Sequence, residues 1–198
     1  MKIFTVKTVT CCLSLILIIS CMPVYMNVPP EIKVEGVYEH KHLPISFPDS
    51  ISEFKRIRIT EYSDDETNVS VGYNLRTDSK NIAFTIYLTA DSLLKLYSGD
   101  TLKQVVIENK ASIEYFFERV EVISDEESKF KDVYPGRKII FRLKDPQQSY
   151  MSNSELHVFK VDDWIIKYRI SYPEIQKLLV QQDIADIIGE IESYYTML

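Results

Sequence analysis

Glycine is scarce in this chain, with five in 198 residues, and proline contributes only eight. Few breakers together with 45% hydrophobic residues exclude disordered, collagen-like and low-complexity architectures. Five scattered glycines leave no glycine-rich phosphate loop and no G-x-S-x-G elbow for a serine hydrolase. Long apolar runs are missing as well. A single short one at the extreme N-terminus excludes a multi-pass membrane protein. Cysteine occurs three times, as Cys11, Cys12 and Cys21, all near the start. No internal repeat is present, and the length is that of one domain with a tail.

What is present begins at residue 1. Lys2 and Lys7 precede a short apolar stretch from Cys11 to Ile19, followed by Ser20-Cys21, with no acid anywhere before Cys21. A basic start, an apolar run of about 7–15 residues and a small residue before a cut site describe a secretory signal. The run is short of the ~20 apolar residues a bilayer span needs. The tetrad Ile18-Ile19-Ser20-Cys21 resembles the lipobox of bacterial lipoproteins. That resemblance implies cleavage between Ser20 and Cys21, a diacylglycerol on the Cys21 thiol and acylation of the new amine. Two or three acyl chains hold firmly where one holds reversibly, since each buried CH₂ contributes ~0.8 kcal/mol. An ordinary signal peptide with an incidental Cys21, and an uncut N-terminal anchor, are the other readings of the same residues. The resemblance divides the chain into a signal over 1–20, a lipidated cysteine and extended tether over 21–35, and a globular domain over 36–198. The tether is expected to be extended because Pro23, Pro29 and Pro30 interrupt any period.

Cutting before Cys21 discards 20 of the 198 residues and leaves 178, with no cysteine in the domain. Disulfides, thiolate metal sites and a cysteine nucleophile are thereby excluded. A chain of that size buries roughly 70% of its unfolded surface, so a core can hold it together. Loss of Lys2 and Lys7 takes the net charge from −6 to near −8. An acidic domain is repelled by an anionic bilayer surface, and it lacks the clustered cations that nucleic-acid binding requires.

Alternation and β-branched content predict strands at Leu43–Phe47, Phe54–Tyr62, Val69–Leu75, Asn81–Thr89, Val120–Ser124, Arg137–Leu143, Glu155–Val161 and Trp164–Tyr172. The Asn81–Thr89 run is apolar enough to predict a central strand covered on both sides. An apolar stripe over Thr101–Val120, broken at Asn109 and capped by Asp100, predicts a helix. A second helix follows Pro173, its stripe made of Ile175, Leu178, Leu179, Ile184, Ile187, Ile188 and Ile191, with Gly189 as a weak point. A two-residue loop at Asp162-Asp163 sets Val161 opposite Trp164, Phe159 opposite Ile166 and His157 opposite Tyr168. Strands, helix, strands, helix define an α+β domain with a mostly antiparallel sheet flanked by helices. The NIAFTIYLT strand, the helix after it and the LHVFKVDDWIIKYRISYP hairpin running into a last helix together resemble the PsbP-like sandwich and bacterial lipoproteins of similar layout. Members of that fold act largely as binding or assembly modules.

Candidate chemistry is thin. His40 and His42 point the same way on an extended chain, yet no third metal ligand accompanies them, and both are expected to be solvated. His157 is expected to be a hydrogen-bonded core residue beside Tyr168. The clusters Asp64-Asp65-Glu66, Asp125-Glu126-Glu127 and Asp162-Asp163 lack the alternating spacing of a calcium loop and are expected at turns. Among 13 tyrosines, Tyr194 and Tyr195 are the pair expected at the surface. No catalytic, metal-ligating or cofactor-binding residue is assigned. The expected role is a non-enzymatic envelope protein, anchored to the membrane by lipid at Cys21, that binds or scaffolds another protein. A module for a small apolar or glycan ligand is the first alternative, and a hydrolase with an unrecognised carboxylate pair the second. Met22 follows Cys21 and the first acid is Glu31. The enterobacterial sorting rule, which retains lipoproteins carrying Asp after the cysteine, then implies the outer membrane in an organism with two membranes and the plasma membrane otherwise.

Overall fold

Side chains alternate across a strand, so each strand divides its residues between the two faces of its sheet. In this domain the two faces are covered by different elements. The structure, a computed structural model, describes residues 29–94, 100–144 and 149–196. In chain order the elements are β1 (Tyr38–Glu39), β2 (Ser46–Phe47), β3 (Ser50–Ile51), β4 (Phe54–Glu61), β5 (Asn68–Arg76) and β6 (Asn81–Ala90). Then come α1 (Thr101–Phe116), β7 (Arg119–Phe130), β8 (Tyr134–Lys144), β9 (Met151–Val161), β10 (Trp164–Pro173) and α2 (Lys177–Tyr194).

Strands β3 to β6 form one antiparallel meander and β7 to β10 another. Antiparallel pairing of β6 with β10 joins them into one eight-stranded sheet, ordered β3-β4-β5-β6-β10-β9-β8-β7. α1 carries the chain from the central strand β6 to the far edge at β7. This is the α+β fold with an antiparallel, helix-flanked sheet that the pattern predicts.

The β9–β10 hairpin has the expected register, with Val161 opposite Trp164, Phe159 opposite Ile166 and His157 opposite Tyr168. Its turn places Asp162 at φ 49°, a left-handed position that Asp tolerates. On one face Val69, Val71, Tyr73, Ile82, Phe84, Ile86, Leu88, Ile166, Tyr168 and Ile170 pack against Val180, Ile184, Ile187 and Ile191 of α2. On the other face Val105 and Ile113 of α1 pack against Ile139, Phe141, Leu143, Leu156, Val158 and Ile165. α1 therefore covers the β8–β10 side only. The far face of β6 shows Ala83 exposed and Thr85, Tyr87 and Thr89 half-buried, so β6 is covered on one side, not two.

Asp100 caps α1 as expected, its carboxylate accepting the Lys103 amide at 3.1 Å. The helix stops at Phe116, four residues before the predicted end at Val120. The apolar stripe runs on because Val120 belongs to β7, where pairing with Leu143 overrides helical continuation. β7 itself runs to Phe130, so Asp125-Glu126-Glu127 lies mid-strand and not in a turn. Glu126 faces Lys138 and Glu127 faces Arg137 across the ladder, while Asp125 is ion-paired with Arg137 and with Lys110 at 3.0 Å. Opposite charges across a pair stabilise it, and acids on an edge strand discourage pairing with another chain. Asp64-Asp65-Glu66 and Asp162-Asp163 do sit in turns.

The stretch read as a tether is described from residue 29. Its residues 30–32 already run along β4, with the Glu61 amide donating to the Pro30 carbonyl and Ile32 to Ile59, both at 3.0 Å. The segment behind it is bolted down by Arg56. Its guanidinium donates to the carbonyls of Val34 at 3.0 Å, Gly36 at 2.8 Å and Phe47, and to the Asp49 carboxylate. At the other end, the Thr196 amide donates to Pro44 at 2.9 Å.

Candidate functional site

Each sequence-selected residue has a definite place in this frame. His40 is buried, contrary to the solvated position expected, and its ring nitrogens are both engaged. Nδ1 accepts the amides of Leu43 at 3.0 Å and His42 at 3.3 Å, and Nε2 lies 3.1 Å from the Glu66 carbonyl. That network assigns the proton to Nε2. Protonating Nδ1 as well would set an N–H against two amide donors. Burial is the main cause that lowers the His40 pKa to about 4. His42 is exposed as expected, its Nε2 2.7 Å from the Asp65 carbonyl. The Trp164 ring lies against both imidazoles, edge-on to His40 at 5.2 Å and stacked with His42 at 6.1 Å. The signal missed in the sequence was Trp164, which draws this loop onto the hairpin tip. Among the described residues no group of three or more His, Cys, Asp and Glu side chains is placed to hold a metal ion.

His157 is a hydrogen-bonded core residue beside Tyr168, as expected. Its Nε2 donates to Glu155 at 3.2 Å, and the same carboxylate accepts the Tyr172 hydroxyl at 3.0 Å and faces Lys138 Nζ at 3.4 Å. Burial alone pushes the Glu155 carboxyl up, but the His157 hydrogen bond and the Lys138 charge outweigh it and hold the pKa below the ordinary value. A carboxylate, a histidine and a tyrosine in contact resemble catalytic machinery. Here the three polar groups satisfy one another in the polar stretch of β9 that precedes Phe159.

The expected surface pair Tyr194–Tyr195 is not one. Tyr195 is buried, edge-on to Phe130 at 5.4 Å and Tyr134 at 6.2 Å. The C-terminal stripe also divides differently. Val180, Ile184, Ile187 and Ile191 form the buried face, whereas Ile175, Leu178 and Leu179 are 91%, 85% and 58% exposed. At ~100° per residue, these three fall roughly 100–200° around the axis from Val180, off the sheet. They make a small apolar edge at the start of α2 and on the 3-10 turn (Glu174–Gln176) that leads into it. Ser20 and Cys21 lie outside the described residues, and among those described no helix is long and apolar enough to cross a membrane.

No family model matches the chain, and no curated protein matches its sequence. Among solved structures it is similar to PA94 of Pseudomonas aeruginosa, a protein of unknown function, at 8% identity and a TM-score of 0.46, over 67% of this chain and 94% of that one. It is also similar to the cyanobacterial PsbP (CyanoP) of Synechocystis sp. PCC 6803, at 11% identity and a TM-score of 0.45, over 90% of this chain and 98% of that one. Scores this low bear no weight on function. The class of the domain rests on its own strands and helices.

Proposed function

We propose that this chain is a lipid-anchored protein of the bacterial cell envelope, held through Cys21, whose domain binds another envelope protein. No catalytic step is assigned to it. The observation that carries the binding role is the exposed apolar edge of Ile175, Leu178 and Leu179, since large apolar side chains left contiguous on a surface mark contact sites. Acidic charge on the rest of the domain suits a protein held off an anionic bilayer and presented to a partner. The outer membrane is the proposed location where there are two membranes, from Met22 and Pro23 after the anchor.

One experiment tests both halves. A photo-crosslinking residue at position 178 is expected to join the chain to one discrete protein in intact cells, and a second at the exposed Lys55 is not. Leu178→Asp, with its urea midpoint unchanged, is expected to lose that product. Cys21→Ser is expected to lose radioactive palmitate. Retained capture by the Asp variant refutes the binding edge, and retained labelling by the Ser variant refutes the anchor.

A further inference from the structure

At the border between the covered and the bare half of the α1 face, β10 carries an unusual pair. Lys167 and Arg169, two apart on β10, share that face and are both half-buried. The Lys167 ammonium donates to Asn109 Oδ1 at 3.0 Å and lies 4.2 Å from the centre of the Tyr87 ring. Asn109 is the polar break in the α1 stripe, and its amide also donates to the Val105 carbonyl at 2.8 Å. Neither cation makes an ion pair among the described residues, in a chain where 29 acids outnumber 23 basic residues. Removing two cations from water without a counter-charge is costly, and burial with the adjacent Arg169 lowers the Lys167 pKa to about 8.

Lys167, but not Arg169, lines a groove of about 370 Å³ between α1 and strands β5, β6 and β10, together with Tyr62, Asn68, Tyr87, Thr89 and Asn109. Its donors are amides, hydroxyls and the lysine, and its apolar walls are the Tyr62 and Tyr87 rings with Leu94, Val105 and Ile165. Glu108 is the acid on its lining, contributed by α1. Tyr87 feels the Arg169 charge and the neighbouring Tyr62, so the rings and both cations are close together.

We propose that this groove binds a small ring-bearing oxyanion, a carboxylate or phosphate attached to an aryl or glycosyl body. The oxyanion supplies the missing counter-charge to Lys167, whose neighbour Arg169 adds positive field from outside the lining, and the ring lies against Tyr87 and Tyr62. Asn109 holds the lysine in place for it. The groove is on the α1 face, while the apolar edge belongs to α2 on the opposite face, so this inference and the protein-binding role fail separately.

Phenyl phosphate, phenol and inorganic phosphate are the probes, titrated calorimetrically into the full chain in non-ionic detergent. Phenyl phosphate is expected to bind saturably and at least tenfold more tightly than either of the others. Lys167→Gln is expected to weaken it tenfold or more, and Arg169→Gln and Lys167→Arg only a few-fold. On the unaltered protein, phenyl phosphate is expected to slow acetylation of Lys167 by an activated ester, followed by peptide mass spectrometry. That measurement stands if the variants fail to fold. Phenol binding as tightly as phenyl phosphate, inorganic phosphate doing so, no saturable binding, or unchanged Lys167 acetylation would each overturn the assignment.

Discussion

Replacing Arg56 by Met keeps the aliphatic stem and removes the guanidinium, and the structure sets the size of the expected loss. The Arg56 side chain is 5% exposed and donates to four acceptors spread over residues 34–49. Hydrogen bonds to a charged donor contribute ~1.5–3 kcal/mol each, which would total ~6–12 kcal/mol if all four were buried. They are not. Asp49 is 62% exposed and adds at most ~1 kcal/mol, and Val34 and Gly36 are exposed, so water replaces the donor at their carbonyls. The Phe47 carbonyl belongs to a fully buried residue, and it is left unpaired. The loss is therefore expected at about 2–4 kcal/mol. Urea unfolding of Arg56→Met measures it, with Asp49→Ala as a control losing no more than ~1 kcal/mol. Limited proteolysis of the Met variant is expected to open new cuts within 34–49, because Tyr38, Leu43, Ile45 and Phe47 lose their clamp. Arg56→Lys is expected to recover less than half of the stability, since an ammonium cannot span the fork of acceptors. A loss below ~1 kcal/mol for Arg56→Met refutes the clamp.

Two glycines make opposite predictions. A Cβ on Gly136 would fall 2.3 Å from Phe159 Cδ1 and 2.6 Å from the Val158 carbonyl oxygen, so Gly136→Ala is expected to cost ~1–3 kcal/mol. Gly189 has nothing within 4 Å of that position and sits inside α2, so Gly189→Ala is expected to add ~0.5–1 kcal/mol. Thermal or urea melts of both variants check the pair, and equal effects of one sign would contradict it. Acid should also weaken the fold through His40. The unfolded ring takes up its proton near pH 6.5 and the folded one only near 4. The contribution is thus fully present above pH 6.5 and falls by ~3 kcal/mol toward pH 4. Urea midpoints between pH 6.5 and 4.5 are expected to flatten in His40→Gln, and an identical slope in both proteins would refute the role of His40.

The β9–β10 hairpin was readable because a two-residue loop determines every partner along both strands, and all three predicted pairs are present. Local pattern fails where a distant partner decides. The Asp125-Glu126-Glu127 cluster looks like a turn until Lys138 and Arg137 of β8 are set against it. Phe116 to Val120 continues a helical stripe until β8 claims Val120. Ile175, Leu178 and Leu179 share the helical spacing of a core, but the sheet lies on the other side of the helix and they stay exposed. Asn109 was visible as a flaw in an apolar stripe, and what it serves is a lysine 58 residues away. The resemblance of Ile18-Ile19-Ser20-Cys21 to a lipobox was the sharpest feature of the sequence, and Cys21 stands outside the described residues.

The path of the chain into β4 has a mechanical consequence. For a domain hung from its N-terminus, the first backbone bonds that tension meets among the described residues are the two that hold Pro30 and Ile32 to β4. These are loaded one after the other, so the segment peels at low force. About five residues come free, giving ~17 Å of extra reach at ~3.4 Å per residue. Arg56 is next in line: its guanidinium holds the exposed carbonyls of Val34 and Gly36 and, behind them, that of buried Phe47, while its own strand is held between neighbours in the sheet. In such an attachment the β4 contacts of Pro30 and Ile32 come before those of Arg56, and the core strands lie behind both.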